Sequence, residues 1–266
     1  MTGGEEQPVA APDELDLPGP LRTRLAQARH RLLALDFDGT LAPYAKDPRE
    51  ARAVPQALAA LTRLAARPGT TVAIVSGRPI PNLTRVVPID TVHLVGEHGW
   101  EERRPGGEPC LHPLADEAGR GLERLFDALT REGTKAKVER KRTGVAIHTR
   151  ALDESGRAEA IAGFRSIYER VADGAGLRLD VLDGGAEAHA LGHDKGTAVR
   201  RLIAVLPAET LAIYVGDDVT DEPALEAVRE TGWGFKVGPV AKTTAARQHL
   251  ADPLAVARLL ARVLDL

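Results

Sequence analysis

Short, solid apolar runs recur along the chain: "RLLALDF" from Arg31, "TTVAIVSG" from Thr70, "VHLVGEHG" from Val92 and "ETLAIYVGDD" from Glu209. Unbroken apolar runs of this length predict strands covered on both faces, as in a parallel sheet. Between the first two lies "VPQALAALTRLAARPG", with Leu58, Leu61, Leu64 and Ala65 at helical spacing. Pro55 suits its first turn and Pro68-Gly69 stops it. A short helix is expected over Pro18 to Arg29, and another at most over "IPNLTRVVP". Buried strand alternating with helix predicts an α/β fold with a doubly wound, mostly parallel sheet.

The pattern changes after Gly106. Leu114 to Arg131 has the spacing of an amphipathic helix. "KAKVERK" and "GVAIHTR" then alternate polar and apolar residues around Arg142-Thr143, which predicts an antiparallel pair with one covered face. A helix over Asp153 to Ala175 and a second pair, "LRLDVLD" and "AEAHAL", complete an inserted α+β unit. The first pattern resumes with a helix in "DKGTAVRRLIAVL", the strand "LAIYVG", a helix in "DEPALEAVRE", a short strand in "GWGFKVG" and a helix over Pro253 to Leu266. The expected division is a flexible acidic leader over 1–17, a core over 18–111 and 190–266, and the insert over 112–189. Its hinges are expected near Pro109 to Pro113 and Gly192.

Composition narrows the function classes. Hydrophobic residues make up 43% of the 266 and aromatics 3%, so the core must rest on Leu, Val, Ile and Ala. A formal charge of -3 argues against nucleic-acid or anionic-membrane binding, and the basic cluster "KAKVERKR" has no interleaved aromatics. One cysteine, Cys110, forbids an intrachain disulfide and suits a reducing compartment. The first residues lack a basic start and an apolar stretch, and no 18-residue apolar run exists. A cytoplasmic monomer is expected.

The chemistry collects where open α/β sheets bind ligands, beyond the carboxyl ends of the strands. Asp36 and Asp38 follow the first strand; Ser76, Gly77 and Arg78 the second; Glu97, His98 and Gly99 the third. Gly216, Asp217, Asp218 and Asp221 follow the strand at Leu211, and Lys195 opens the helix before it. Singly, Asp38 and Asp221 read equally well as turn caps, Ser76 as a helix cap and Lys195 as a solvated helix residue. Together, four or five carboxylates at one edge need a cation, and oxygen-only donors favour Mg²⁺. A carboxylate is also a competent nucleophile toward phosphorus, and a second one nearby can move the proton.

"DFDGTL", "SGR", "DKG" and "GDDVTDE", in this order on an α/β core, resemble the haloacid-dehalogenase-like phosphatases. The insert resembles the type-two cap of their sugar-phosphatase branch. Within that branch the chain is most similar to the trehalose-6-phosphate phosphatases, through "GEHG" and "VERKRTGVAIHTR". The resemblance implies Asp36 as nucleophile and Asp38 as general acid/base, its backbone carbonyl on Mg²⁺. It implies Asp217 as a metal ligand with Asp218 and Asp221 around it. Ser76 and Lys195, with Gly39 and Gly77, would hold the phosphoryl group. His98, Gly99, Glu139, Lys141 and Glu187 would meet the sugar, with Arg140 or Arg142 nearby. Two departures fall in the cap: Glu187-Ala188-His189-Ala190 stands where the family has Glu-x-Arg-Pro, and Thr149 where it has Tyr in "HYR". The implied reaction is hydrolysis of a sugar phosphate, most similar to trehalose 6-phosphate. A trehalose-like pseudo-disaccharide phosphate, a sugar phosphomutase and a receiver-like Mg²⁺-binding domain are the competing readings.

Overall fold

The computed structural model describes residues 17–172, 174–182, 184–239 and 243–266. The leader expected over 1–17 lies outside them except for Leu17, which is buried. After helix α1 (Gly19–Gln27), the chain enters β1 (Arg31–Leu35), all five residues of which are buried. Then come α2 (Pro55–Ala65), β2 (Thr70–Val75), α3 (Ile80–Val86) and β3 (His93–Gly96). β4 (Glu101–Arg103) and β5 (Cys110–Leu111) turn back antiparallel beside β3. After the insert come α6 (Lys195–Ala204), β10 (Leu211–Gly216), α7 (Glu222–Ala227), β11 (Trp233–Val237), β12 (Gln248–Leu250) and α8 (Pro253–Leu264).

These strands form an eight-stranded sheet in the order β12-β11-β10-β1-β2-β3-β4-β5, parallel from β12 to β3. The expected doubly wound α/β sheet is therefore present, and alternation along β1 shows how it is covered. Leu33 and Leu35 belong to the core packed by α2 and α8, whereas Leu32 and Ala34 belong to the core packed by α6 and α7. Successive side chains point to opposite faces, so a strand covered twice has no place for an unpartnered polar residue until it ends. That is why the first carboxylates appear at Asp36 and Asp217, just past β1 and β10.

The insert carries α4 (Asp116–Glu132), β6 (Lys137–Arg140), β7 (Gly144–His148), α5 (Glu154–Val171), β8 (Leu177–Leu182) and β9 (Gly185–Ala190). Its antiparallel sheet runs β6-β7-β9-β8. Val145, Ile147, Ala186 and Ala188 pack on α4 and α5. The alternate positions Ala146, His148, Glu187 and His189 are left for the opposite face.

Three short strands, β4, β5 and β12, were not expected, being only two or three residues long without an apolar run. The helix expected to reach Ala175 stops at Val171, and Gly174 and Gly176 lie beyond it at positive φ. α7 is shorter than the expected Asp221 to Glu230: Asp221 closes a separate tight turn, Val219–Asp221, capped by the Asp218 carboxylate, and Val228 to Glu230 form a turn beyond the helix end. No helix of the described residues is long and apolar enough to cross a membrane.

Candidate active site

β1 and β10 are neighbours in register, so the loops beyond their carboxyl ends meet at one point. The Asp36 N–H donates to the Val215 carbonyl at 2.9 Å, which fixes Asp36 beside the start of the Asp217 loop. Asp36, Asp217 and Asp221 bring carboxylate oxygens within 4.8 Å of one another. Lys195, first residue of α6, reaches into this group from a helix start fixed by an Asp194–Thr197 capping box. Its buried Nζ lies 3.0 Å from Asp36 Oδ1 and 2.8 Å from Asp221 Oδ1.

Asp221 is fully buried, and both of its oxygens are taken. Oδ1 also accepts from the Tyr214 hydroxyl at 2.5 Å, and Oδ2 from the N–H groups of Asp217 and Asp218 at 3.0 and 2.9 Å. It therefore holds the loop together, with Lys236 adding a 2.7 Å bond to the Asp218 carbonyl. Asp217 is held by Thr40 Oγ1 at 3.2 Å and by the Tyr44 hydroxyl. Gly39 sits at φ +80, and a Cβ there would lie 2.2 Å from Asp217 Oδ2, so only glycine fits against this carboxylate.

Crowded acids in a buried place resist ionisation. Burial pushes the Asp36 carboxyl well above the usual range; Lys195 opposes this, and Asp221, Asp217 and Asp38 add to it. Burial and Asp221 push Asp217 up to about 7. Burial also acts to raise Asp221, but Lys195 and its hydrogen bonds keep it low. Fully ionised, three carboxylates against one ammonium would carry two excess negative charges, and their resistance to ionisation marks a pocket of hard oxygen donors that lacks a countercharge. That donor set fits a divalent cation of the Mg²⁺ class.

Asp38 is bound at two points by Arg78, whose Nε and Nη2 donate to its two oxygens at 2.6 Å each. Arg78 Nη2 also donates to the Pro48 carbonyl at 2.6 Å. Ser76, buried at the end of β2, accepts from the Arg78 N–H at 3.2 Å. Gly77 leaves room for His98, because a Cβ there would lie 2.5 Å from His98 Nε2.

A cavity of about 350 Å³ opens over these groups, bounded opposite by the open face of the insert's sheet. Asp36, Asp38, Ser76, Gly77, His98, Glu139, Lys141, Glu187, Lys195 and Asp218 line it. Lys141 Nζ lies 2.9 and 3.0 Å from the two oxygens of Glu187, and His98 Nε2 lies 3.4 Å from Glu187 Oε2. All three are buried. Burial acts to raise Glu187, yet Lys141 and His98 hold it well below the ordinary range. Burial keeps His98 below its usual value. Glu139 is paired with His148 at 2.7 Å.

Asp217 and Asp221, expected at the metal, do gather at Asp36, with Gly39 against Asp217, but none of these three lines the cavity. Gly99 is not on the wall either: its carbonyl accepts from Arg201 at 2.8 Å, behind His98. Arg142 is spent on the main-chain carbonyls of His112 and Trp100, at 3.1 Å each, and Arg140 on those of Lys141 and Gly144. Neither departure is among the residues that line the cavity, although His189 shares the Glu187 face of β9 and its ring lies 5.5 Å from that of His98. His189 is buried against Asp180 at 2.8 Å, and Thr149 bonds the Gly184 carbonyl through both N–H and hydroxyl.

Several residues of the site are not evident from the sequence. Glu97 reads there only as a residue after a strand, yet it is buried and accepts from the Arg142 and Thr143 N–H groups at 3.1 and 2.7 Å, tying the insert to the core. Tyr214 carries a usable signal: a phenol inside a solid apolar strand needs a partner for its hydroxyl. Tyr44, Thr40 and Asp47 carry none.

The trehalose-phosphatase family model matches residues 34–256. The chain belongs to the trehalose-phosphatase family. It is 35% identical over 211 residues to a trehalose-phosphate phosphatase of Mycobacterium avium, covering 76% of this chain and 52% of that protein. It is 38% identical over 237 residues to an uncharacterized glycosyl hydrolase of Mycobacterium tuberculosis, covering 85% of this chain and 17% of that protein. The chain thus spans about half or less of these curated relatives. The structure of the C. albicans trehalose-6-phosphate phosphatase C-terminal domain superposes with a TM-score of 0.84 at 23% identity, over 93% of this chain and 96% of that one. The fold is also shared with solved haloacid-dehalogenase-like hydrolases.

Proposed function

We propose that this family member hydrolyses trehalose 6-phosphate to trehalose and phosphate, with Mg²⁺ as cofactor. Residues 18–111 and 190–266 would form the phosphatase core and 112–189 the cap that selects the sugar. The observation that carries the reading is the meeting of Asp36 and Asp38 on one cavity floor, facing a wall of buried charged groups. An Asp36 oxygen attacks phosphorus as the bond to the sugar oxygen breaks, giving an aspartyl-phosphate. The departing oxygen takes a proton from Asp38, which later takes one from the water that releases phosphate. For this Asp38 must leave Arg78, so the substrate has to open that two-point bridge.

Lys195 sets the attacking carboxylate, with Ser76 beside the phosphoryl oxygens. Asp36, Asp217 and the Asp38 carbonyl would hold the Mg²⁺, which neutralises phosphoryl charge when bound. Lys141, Glu187, His98 and Glu139 offer the donors and acceptors that a polyol requires once water is excluded. The wall keeps Glu139, Lys141, Glu187 and His98, which supports trehalose 6-phosphate over a modified disaccharide, and the departure at His189 stands beside that wall, its ring 5.5 Å from the His98 ring. A phosphate-release panel tests this. Trehalose 6-phosphate should be preferred over sucrose 6-phosphate, glucose 6-phosphate and a pseudo-disaccharide phosphate, and EDTA should stop the reaction. Turnover undiminished in EDTA, or interconversion of hexose phosphates without phosphate release, would refute it.

A further inference from the structure

Tyr44 is a large side chain exposed at the cavity mouth, on the loop that links β1 to α2. Its hydroxyl donates to Asp217 Oδ2, across 173 residues of sequence. Its ring receives the Arg150 guanidinium, whose central carbon lies 3.5 Å from the ring centroid. Arg150 lies just beyond β7 in the insert, and its guanidinium packs against the Gly184 backbone, where a Cβ would come within 2.2 Å of Nη1. Three residues along the same loop, Asp47 accepts from Lys137 of β6 at 3.0 Å. One loop therefore touches the insert at two points and Asp217 at a third. A hydroxyl that bonds a ligating carboxylate fixes that ligand's orientation. A cation on a ring face fixes the ring.

We propose that Tyr44 is a positioning residue: it orients Asp217 for the divalent cation, and Arg150 of the insert orients Tyr44. The inference rests on the metal site proposed above. It means that closure of the insert onto the core and readiness of the cation site are one event, linked through a single side chain.

The test is calorimetric titration of the full chain, freed of metal, with Mg²⁺ alone. Wild type, Tyr44→Phe, Arg150→Ala, the double variant and Asp217→Asn are compared, with unfolding midpoints measured in EDTA. Tyr44→Phe keeps the ring for Arg150 and loses only the hydroxyl. It should weaken Mg²⁺ binding about tenfold, leave the metal-free midpoint unchanged, and lower kcat/KM in a way that added Mg²⁺ restores. Arg150→Ala should weaken Mg²⁺ binding less, and the double variant should match Tyr44→Phe, because Arg150 acts through the ring. Wild-type or tighter Mg²⁺ binding by Tyr44→Phe, or additive losses in the double variant, would overturn the proposal. If Asp217→Asn binds Mg²⁺ like wild type, it is the metal site itself that has been misassigned, and the role of Tyr44 falls with it.

Discussion

Replacing Lys141 by methionine keeps its aliphatic stem and removes its charge. Lys141 Nζ sits 2.9 Å from Glu187, and both side chains are less than a tenth exposed. At an effective dielectric constant of about 20, that separation corresponds to about 6 kcal/mol of attraction, much of it offset by desolvation. The larger effect is on the partner left behind. Glu187 would stay buried with only His98, 3.4 Å away, beside it. Stranding a buried charge costs about 3–5 kcal/mol, a large share of the about 5–15 kcal/mol that holds a domain folded. Glu187→Gln should cost about as much, since it strands Lys141 in turn. The double variant should be clearly more stable than the sum of the two losses implies, because no charge is left alone. Urea unfolding of the four proteins, followed by tryptophan fluorescence, measures this cycle. Activity should not recover with stability: kcat/KM on trehalose 6-phosphate should stay depressed in all three variants, since the sugar loses its partners in each. Single losses below about 1 kcal/mol, or strict additivity, would show that Lys141 and Glu187 are not a coupled buried unit.

Asp36→Asn should abolish phosphate release while leaving the metal-free protein at least as stable as wild type, because it removes a crowded buried acid. Loss of cooperative melting in EDTA would contradict this. Gly77→Ala should push the His98 ring off Glu187 and cost about 1–3 kcal/mol, with a raised KM; an unchanged KM and midpoint would show that the ring yields freely. His98 is held below 6.5 by burial, so its contribution to stability is full above that pH and is lost as pH falls below it. Glu187, held below 4.5, adds a second loss as pH falls further. Melting curves from about pH 8 down to about pH 2 should show both steps, and His98→Gln should shrink the first, to which His93 and His193, also held below 6.5 by burial, contribute the rest.

The floor of the site is legible in the sequence because each buried strand announces its own end. Asp36, Ser76, His98 and Asp217 each come after a solid apolar run, and a doubly covered sheet forces such runs to finish at one edge. The wall is partly legible: Glu139, Lys141 and Glu187 fall on alternating strands whose other face is apolar. Resemblance places Arg140, Arg142 and Gly99 near the sugar, yet they serve main-chain carbonyls or lie behind the wall. A long arginine reaches several acceptors, and its sequence neighbours do not decide which one it takes.

The sequence by itself determined the element order, the parallel core with its inserted antiparallel unit, and which strand ends carry acids. These follow from periodicity and from the cost of burying charge, which act over a few residues. Only the tertiary structure decided what each charge does. It turned Asp221 into the organiser of a loop, bound Asp38 to Arg78, and gave Glu97 to the insert's turn. It also joined Tyr44 to Asp217 from the far side of the chain. Each of these but the Asp221 loop is a pairing between residues tens or hundreds of positions apart. Such a partner is fixed by the packing that brings two loops together and excludes the water that would otherwise satisfy them.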